Sequence, residues 1–393
     1  MKVILAINAG SSSVKISVYS AEFQQKPRQF AETQISGLTA PPAQLSYTRN
    51  GVTVRKSEKL QEEQVKSQDD AFKLLLKTLI EDQELKEIQA KDDIGITSHR
   101  IVHGGDYTAS QIITPDTYHH LEKLSDLAPL HNGAALTIVR SCIDELPDAV
   151  NVACFDSQFH STIPEHIRTY PINVDVAKKN HLRKYGFHGI SYSFITSGAS
   201  ACAVRQGQSW DTSMGLTPLA GLPGATRSGS VDPSLVFHYA SDVGKLSPSS
   251  TSELHISRAE EILNKESGWK ALTGTTDFGV IADSNDPKHK LAFDIFVDRV
   301  CGFIGSYFVS LGGQVDALVF AGGIGEKSGK LRARVGAQVA CLGFEVDDSL
   351  NGKKIVDTVQ DVGKQGKGKR VLVCQTDEQL EMARFCAEND NIW

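Results

Sequence analysis

The sequence predicts an α/β protein built from two similar halves, and three observations carry that prediction. Short apolar runs rich in β-branched residues alternate along the chain with stretches of helical spacing. Two of the runs, Val3–Ile7 and Ala317–Phe320, one near each end, lead directly into loops of glycine and other small residues. The 393 residues exceed what one compact core accommodates and suit two or three domains.

Taken in order, Val3–Ile7 reads as a buried strand, Asn8–Ser13 as a turn, and Val14–Tyr19 as a second strand that closes a hairpin. Residues 20–60 are mixed, with a Pro pair at 41–42 and a turn at Asn50-Gly51. Residues 56–90 read as helix: Lys56–Asp70 would be its solvated face, and Ala71–Ile80 carries the apolar spacing. Ile94–Thr97 is a strand leading into His99-Arg100-Ile101-Val102-His103-Gly104-Gly105. Helical spacing follows near 117–127 and 133–146, and Val150–Phe155 is a strand that stops at Asp156. Further helices are expected at 256–267, 286–312 and 331–342, with a late strand at Val371–Gln375. Gly363–Lys369 reads as an exposed hairpin tip. No short-period repeat is visible, which excludes a solenoid reading.

Bulk chemistry narrows the function. Hydrophobic residues make up 40% and charged residues 22%, ordinary proportions for a globular protein. A net charge of -6 argues against a general nucleic-acid binder. No stretch approaches the ~20 apolar residues that a membrane span needs. The N-terminus lacks a signal-peptide pattern. The seven Cys are scattered, without a C-x-x-C pair, as reduced cytosolic thiols would be.

Several segments carry possible chemistry. Asn8–Ser13 is either a plain hairpin turn or a loop whose N–H groups and hydroxyls meet phosphate oxygens; it is not a P-loop. Arg100, at a strand end, presents a planar fork suited to a carboxylate or phosphate, or to a structural ion pair. Asp156 could serve Mg²⁺, which needs only one or two carboxylates, or could cap a helix. His188 sits in a glycine-flanked turn, Tyr185-Gly186-Phe187-His188-Gly189, and a second Arg lies in Thr226-Arg227-Ser228-Gly229. Gly322-Gly323-Ile324-Gly325 follows a strand but is not a G-x-G-x-x-G fingerprint.

As an ordered set these segments resemble the acetate kinase family from end to end. The matching stretches are INAGSSSVK (7–15), HRIVHGG (99–105), LAPLHN (127–132), FDSQFH (155–160), YGFHG (185–189), DTSMGLTPL (211–219), ATRSG (225–229), LTGTTDF (272–278), AGGIGE (321–326) and TDEQLEMAR (376–384). The resemblance implies a duplicated ribonuclease-H-like, actin-like fold. Its domains would be 1–160 plus 379–393 and 161–378, with a nucleotide cleft between them, in a cytoplasmic homodimer. It implies reversible phosphoryl transfer from ATP to acetate, giving acetyl phosphate and ADP, with Mg²⁺.

By the same resemblance, Arg100 and Arg227 orient the carboxylate and stabilise the phosphoryl oxygens, with His188 donating to that group and His131 nearby. Asn8, Asp156 and Glu378 hold the metal. Val102, Leu130, Phe187 and Pro218 form the pocket for the acetate methyl. Ser11, Ser12, Ser13, Lys15, Ser197, Gly198, Asp277, Phe278, Gly323, Ile324 and Gly325 match nucleotide positions. Acetate is already ionised at neutral pH, so no general base is needed; positioning and charge neutralisation are the task.

One departure is large. In the family, YGFHG is followed by a helix, a strand and a loop reading H-L-G-[NS]-G-A-S; here only SGAS (197–200) is present. The resemblance therefore implies that a helix and a strand are missing between 194 and 199. It leaves open an active acetate kinase, a propionate or butyrate kinase, or a non-catalytic pseudoenzyme or splice form of the same fold. Smaller departures are Gly279, Lys327, Ala225 and Ser230, where the family often has Arg, Asn, Gly and Asp.

Overall fold

A computed structural model describes residues 1–10, 12–61, 63–124, 129–194, 200–236, 258–366 and 368–393, without the side chains of 129–131. The chain forms two compact units: unit 1 comprises Met1–Gln158 and Asp377–Trp393, and unit 2 comprises Phe159–Thr376.

Unit 1 is built on an eight-stranded mixed sheet. Its strands are β1 (Lys2–Ala9), β2 (Ser13–Ala21), β3 (Arg28–Ser36), β4 (Gln44–Arg49), β5 (Val52–Lys59), β6 (Ile94–Ile101), β7 (Gln111–Ile112) and β8 (Val150–Phe155), in the order β5-β4-β3-β2-β1-β6-β8-β7. β1 to β5 run as antiparallel hairpins, whereas β6 and β8 lie parallel to β1 on its other side. β1 is the pivot of the sheet. Val3, Leu5 and Ile7 join the core beneath the helices Gln68–Ile80 and Pro129–Glu145. Ile4 and Ala6, directed to the other face by strand alternation, are fully buried as well. The C-terminal helix Glu378–Glu388 lies against β1, β2 and β6. Burial on both faces accounts for the unbroken apolar run that marks this strand in the sequence.

The expected helix over 56–90 is corrected here. Residues 52–59 form β5, and the helix covers only Gln68–Ile80, capped by Ser67. Every residue of β5 is exposed, so this edge strand has no apolar alternation for the sequence to display. The mixed stretch 20–60 is largely β3, β4 and β5.

Among the described residues unit 2 has two smaller sheets. β9 (Cys202–Arg205) and β10 (Gln208–Thr212) make an antiparallel hairpin whose tip, Gln206-Gly207, has positive φ at both positions. β11 (Ala317–Ala321), β12 (Val359–Asp361) and β13 (Arg370–Cys374) form a sheet of order β11-β13-β12, with β11 parallel to β13 and β12 antiparallel. The long helix Pro287–Ser310 and the helix Gly329–Val339 pack over a core that includes Phe296, Val335, Phe344, Val371 and Val373. The expected helices at 256–267 and 286–312 are observed at Arg258–Lys265 and Pro287–Ser310.

Candidate functional site

In unit 1 three parallel strands end side by side, and each delivers a polar residue at or near its carboxyl end. Asn8 lies in the last turn of pleat of β1, Arg100 near the end of β6, and Asp156 directly after β8. The Asp156 N–H donates to the Ile101 carbonyl at 3.0 Å, which extends the β6–β8 ladder by one residue and fixes the carboxylate beside Arg100. Asp377 caps the C-terminal helix by accepting from the Leu380 N–H at 2.9 Å, and this sets Glu378 in its first turn.

Arg100 joins the four side chains. Its Nε donates to both Asp156 oxygens at 3.2 Å and its Nη2 to Oδ2 at 2.8 Å. Its Nη1 lies 3.4 Å from Asn8 Oδ1 and 3.4 Å from Glu378 Oε2. Asn8 Nδ2 donates to the same Glu378 oxygen at 3.0 Å. Asp156 is fully buried. Burial alone would lower the affinity of the Arg100 guanidinium for its proton, but Asp156 and Glu378 outweigh it and hold it charged. The oxygens of Asn8, Asp156 and Glu378 form an all-oxygen donor set of the kind that suits a hard cation, which takes one or two carboxylates plus waters and phosphates. When bound, Mg²⁺ would supply positive charge against phosphate oxygens.

The His99–Gly105 segment is braced from behind. His99 is buried and its Nε2 lies 3.1 Å from Thr97 Oγ1 and 2.9 Å from Asn151 Oδ1. Burial pushes its imidazole down to about 4, so it stays neutral and structural. Asn132 clamps His103 with both ends of its amide, accepting from the backbone N–H at 3.0 Å and donating to the carbonyl at 3.1 Å. Val102 is half-buried on this loop. Leu130 and His131 fall among the side chains outside the described residues.

The Asn8–Ser13 segment is the β1–β2 hairpin turn, closed by Gly10 N–H to the Ser13 carbonyl at 2.9 Å and held by Gln68 Nε2 on the Gly10 carbonyl at 2.7 Å. The Ser12 carbonyl accepts from the Leu38 N–H, Ser13 opens β2, and Lys15 pairs with Glu32 at 2.9 Å. Ser11 lies outside the described residues, as do Ser197 and Gly198.

In unit 2, His188 has a left-handed backbone (φ 63) just before the helix Gly189–Phe194. Its Nδ1 is 3.0 Å from Ser200 Oγ, and Tyr192 Oη is 2.6 Å from the same oxygen. Phe187 is fully buried, and its carbonyl is 3.0 Å from His160 Nε2. His160 Nδ1 lies 2.7 Å from Ser209 Oγ, and burial pushes this imidazole down to about 4. Gly186 (φ 78) permits the close approach: a Cβ there would stand 2.8 Å from the His160 ring. Arg227 Nη1 donates to the Pro218 carbonyl at 3.1 Å.

The 322–326 loop winds into the short helix Gly322–Lys327 directly after β11. Glu326 Oε1 accepts from the Gly322 N–H at 2.9 Å and from the Thr376 N–H at 3.2 Å. Buried Arg332 donates to the Gly325 and Glu326 carbonyls at 2.7 and 2.8 Å, and to Asn351 Oδ1 at 2.6 Å. It therefore holds this loop at the Gly325 and Glu326 carbonyls. Asp277 caps the helix Phe278–Asp283, accepting from the Gly279 and Val280 N–H groups. The Phe278 ring packs among Trp269, Phe293 and Phe296, so its side chain belongs to the core of unit 2. Asn132, Ser200, Glu326 and Arg332 were not singled out from sequence; the partners of Asn132 and Glu326, His103 and Thr376, lie far along the chain.

The fold and the Arg–carboxylate cluster at its strand ends fit a duplicated, actin-like two-domain class. Solved members with similar structures include a propionate kinase from Francisella tularensis (TM-score 0.82, 30% identity, covering 98% of this chain and 99% of that one). Another is the Porphyromonas gingivalis acetate kinase (TM-score 0.77, 28% identity, 98% of each chain). The acetokinase family model matches residues 3–198 and 195–384, and the chain belongs to that family. A probable acetate kinase of Chaetomium globosum is 60% identical, covering 100% of this chain and 99% of the relative. That of Neurospora crassa is 59% identical, covering 100% and 95%.

The Chaetomium alignment runs over 456 positions against the 393 residues of this chain, so the relative carries residues that this chain lacks. The two stretches of family match meet, and overlap, at residues 195–198.

Proposed function

We propose that this chain is an acetate kinase that transfers the γ-phosphoryl group of ATP reversibly to acetate, with Mg²⁺. One observation carries the reading: the convergence of Asn8, Arg100, Asp156 and Glu378 at the ends of β1, β6 and β8. The difficulty of the reaction is to bring one anion against another. A guanidinium held charged by two carboxylates, with its donors in a fixed planar fork, is suited to that.

We assign Arg100 and Arg227 to the carboxylate and the equatorial phosphoryl oxygens. His188 takes the role of a donor to the phosphoryl group, its ring oriented by Ser200. Asn8, Asp156 and Glu378 would hold the metal. Val102, Leu130, Phe187 and Pro218 would line the methyl site, with His131 nearby. Ser11, Ser12, Ser13, Lys15, Asp277, Gly323, Ile324 and Gly325 would contact nucleotide, together with Ser197 and Gly198, and Phe278 would do so through its backbone. We assign the actin-like domains to 1–160 plus 379–393 and to 161–378, in a cytoplasmic homodimer.

The test is a hydroxamate assay for acyl phosphate on the purified chain with Mg²⁺, ATP and acetate, propionate or butyrate. Hydroxamate formed fastest from acetate supports the proposal, and a preference for propionate or butyrate reassigns the substrate. A folded chain that yields none from any acid turns the reading to a non-catalytic member of the family. That second reading is favoured by one observation, the unpaired edges of β9 and β11 among the described residues.

A further inference from the structure

The sheets of the two units follow one plan with one place left open. In unit 1 the antiparallel pair β3-β2 is followed by β1, then by the parallel strands β6 and β8, with antiparallel β7 at the edge. In unit 2 the antiparallel pair β10-β9 and the parallel strands β11 and β13, with antiparallel β12 at the edge, repeat that plan. The counterpart of β1 is missing: among the described residues β9 pairs only with β10, and β11 only with β13.

The exposure of the strands agrees. β6, next to β1, is almost wholly buried, whereas Ala317, Leu318 and Val319 of β11 are only partly covered. β9 and β11 both line a single cleft of about 410 Å³, together with Phe296, Ile304, Tyr307 and Phe344, and no charged side chain lines it among the described residues. Tyr307, which lines this cleft, is 7% exposed, and its buried hydroxyl has no hydrogen-bond partner among the described residues.

We propose that unit 2 contains a strand-acceptor site between β9 and β11. Its occupant is an extended, uncharged aliphatic segment of the chemistry of Val3–Ile7, seated parallel to β11 and antiparallel to β9, as β1 is to β6 and β2. The longer relatives carry residues that this chain lacks, and a segment entering where the two family matches meet, at 195–198, would supply this strand. Backbone hydrogen bonds to two open strand edges would hold it, and aliphatic side chains alternating into the cleft would give it register. A backbone group of the segment would also reach the Tyr307 hydroxyl. The inference is independent of phosphoryl transfer, since it concerns sheet completion and is read without substrate.

The experiment titrates the full chain with a fluorescein-labelled peptide carrying the sequence that the Chaetomium globosum relative has at that break, beside a scrambled peptide. Expected is saturable one-to-one binding of the first peptide only. Hydrogen exchange at 202–205 and 317–321 should slow by roughly tenfold or more, with unit 1 unchanged. Val204→Lys, at an exposed position of the lining, should weaken binding while leaving the circular dichroism spectrum intact; Leu318→Lys should abolish it. No binding by the folded chain, equal binding of the scrambled peptide, or protection away from β9 and β11 would overturn the proposal. So would self-association that protects β9 and β11 and that the peptide does not displace, because the occupant would then be a second copy.

Discussion

Unit 1 and unit 2 build similar sheets around different centres. β1 stands between β2 and β6 in unit 1, buried on both faces, and every strand beside it is covered in turn. In unit 2 the corresponding place holds no strand among the described residues, and β11 keeps its aliphatic side chains half in water. A central strand thus does more than add its own burial: it completes the ladders and covers the side chains of two neighbours at once. The polar residues at the strand ends show the same contrast. Asn8, Arg100, Asp156 and Glu378 are locked together in unit 1, where β1, β6 and β8 end in register.

The largest expected effect follows from removing the residue that ties those strand ends together. Arg100→Ala should lower turnover in the hydroxamate assay by ~100-fold or more. It should also cost unit 1 about 3 kcal/mol, because it strips the counter-charge from a fully buried carboxylate. Arg100→Lys keeps a charge but not the planar fork, so it should retain the stability better than the turnover. Turnover unchanged in both variants would remove Arg100 from the chemistry.

A smaller effect sharpens the comparison of the sheets. Leu5→Ala, in β1, should destabilise unit 1 by about 3 kcal/mol through the cavity it leaves. Leu318→Ala, in half-covered β11, should cost unit 2 only about 1 kcal/mol. Urea unfolding can be followed separately, because Trp393 lies in unit 1 and Trp210 and Trp269 in unit 2. Equal costs would mean that β11 is as well buried in solution as β1.

A further effect is one in which the units should behave alike. His99 and His160 are each buried, and each is pushed down from 6.5 to about 4. The unfolded chain therefore binds more protons than the folded one between those values, and stability falls as pH drops from about 6.5 to about 4. Above 6.5 the contribution is fully present. Parallel loss of stability in both tryptophan signals between pH 7.5 and 4.5 is expected. His160→Gln should flatten the profile of unit 2 alone.

The sequence displayed those elements whose pattern is local. β1, β6, β8 and β11 are apolar runs, and the helices Pro287–Ser310 and Gly329–Val339 carry their own spacing. β5 was read as helix because an edge strand exposed on both faces has no alternation to show. β9, β10 and β12, of three to five residues each, are too short and too polar to declare themselves. In the candidate site, Arg100, Asp156 and His188 could be singled out because they stand at strand ends or between glycines. Asn132, Glu326 and Arg332 could not, because what they hold lies far along the chain.

By itself the sequence determined the α/β class, the membership of the family through ten ordered segments, and the place where that likeness breaks, since all three are written in the order of residues. The tertiary structure alone decided that Asn8, Arg100, Asp156 and Glu378 meet, although as many as 370 positions separate Asn8 from Glu378. It also decided that, among the described residues, β9 and β11 each pair on one edge only and line one apolar cleft. The physical reason is that hydrogen-bonded strand pairing and burial join residues by register across the sheet, which distance along the chain does not encode.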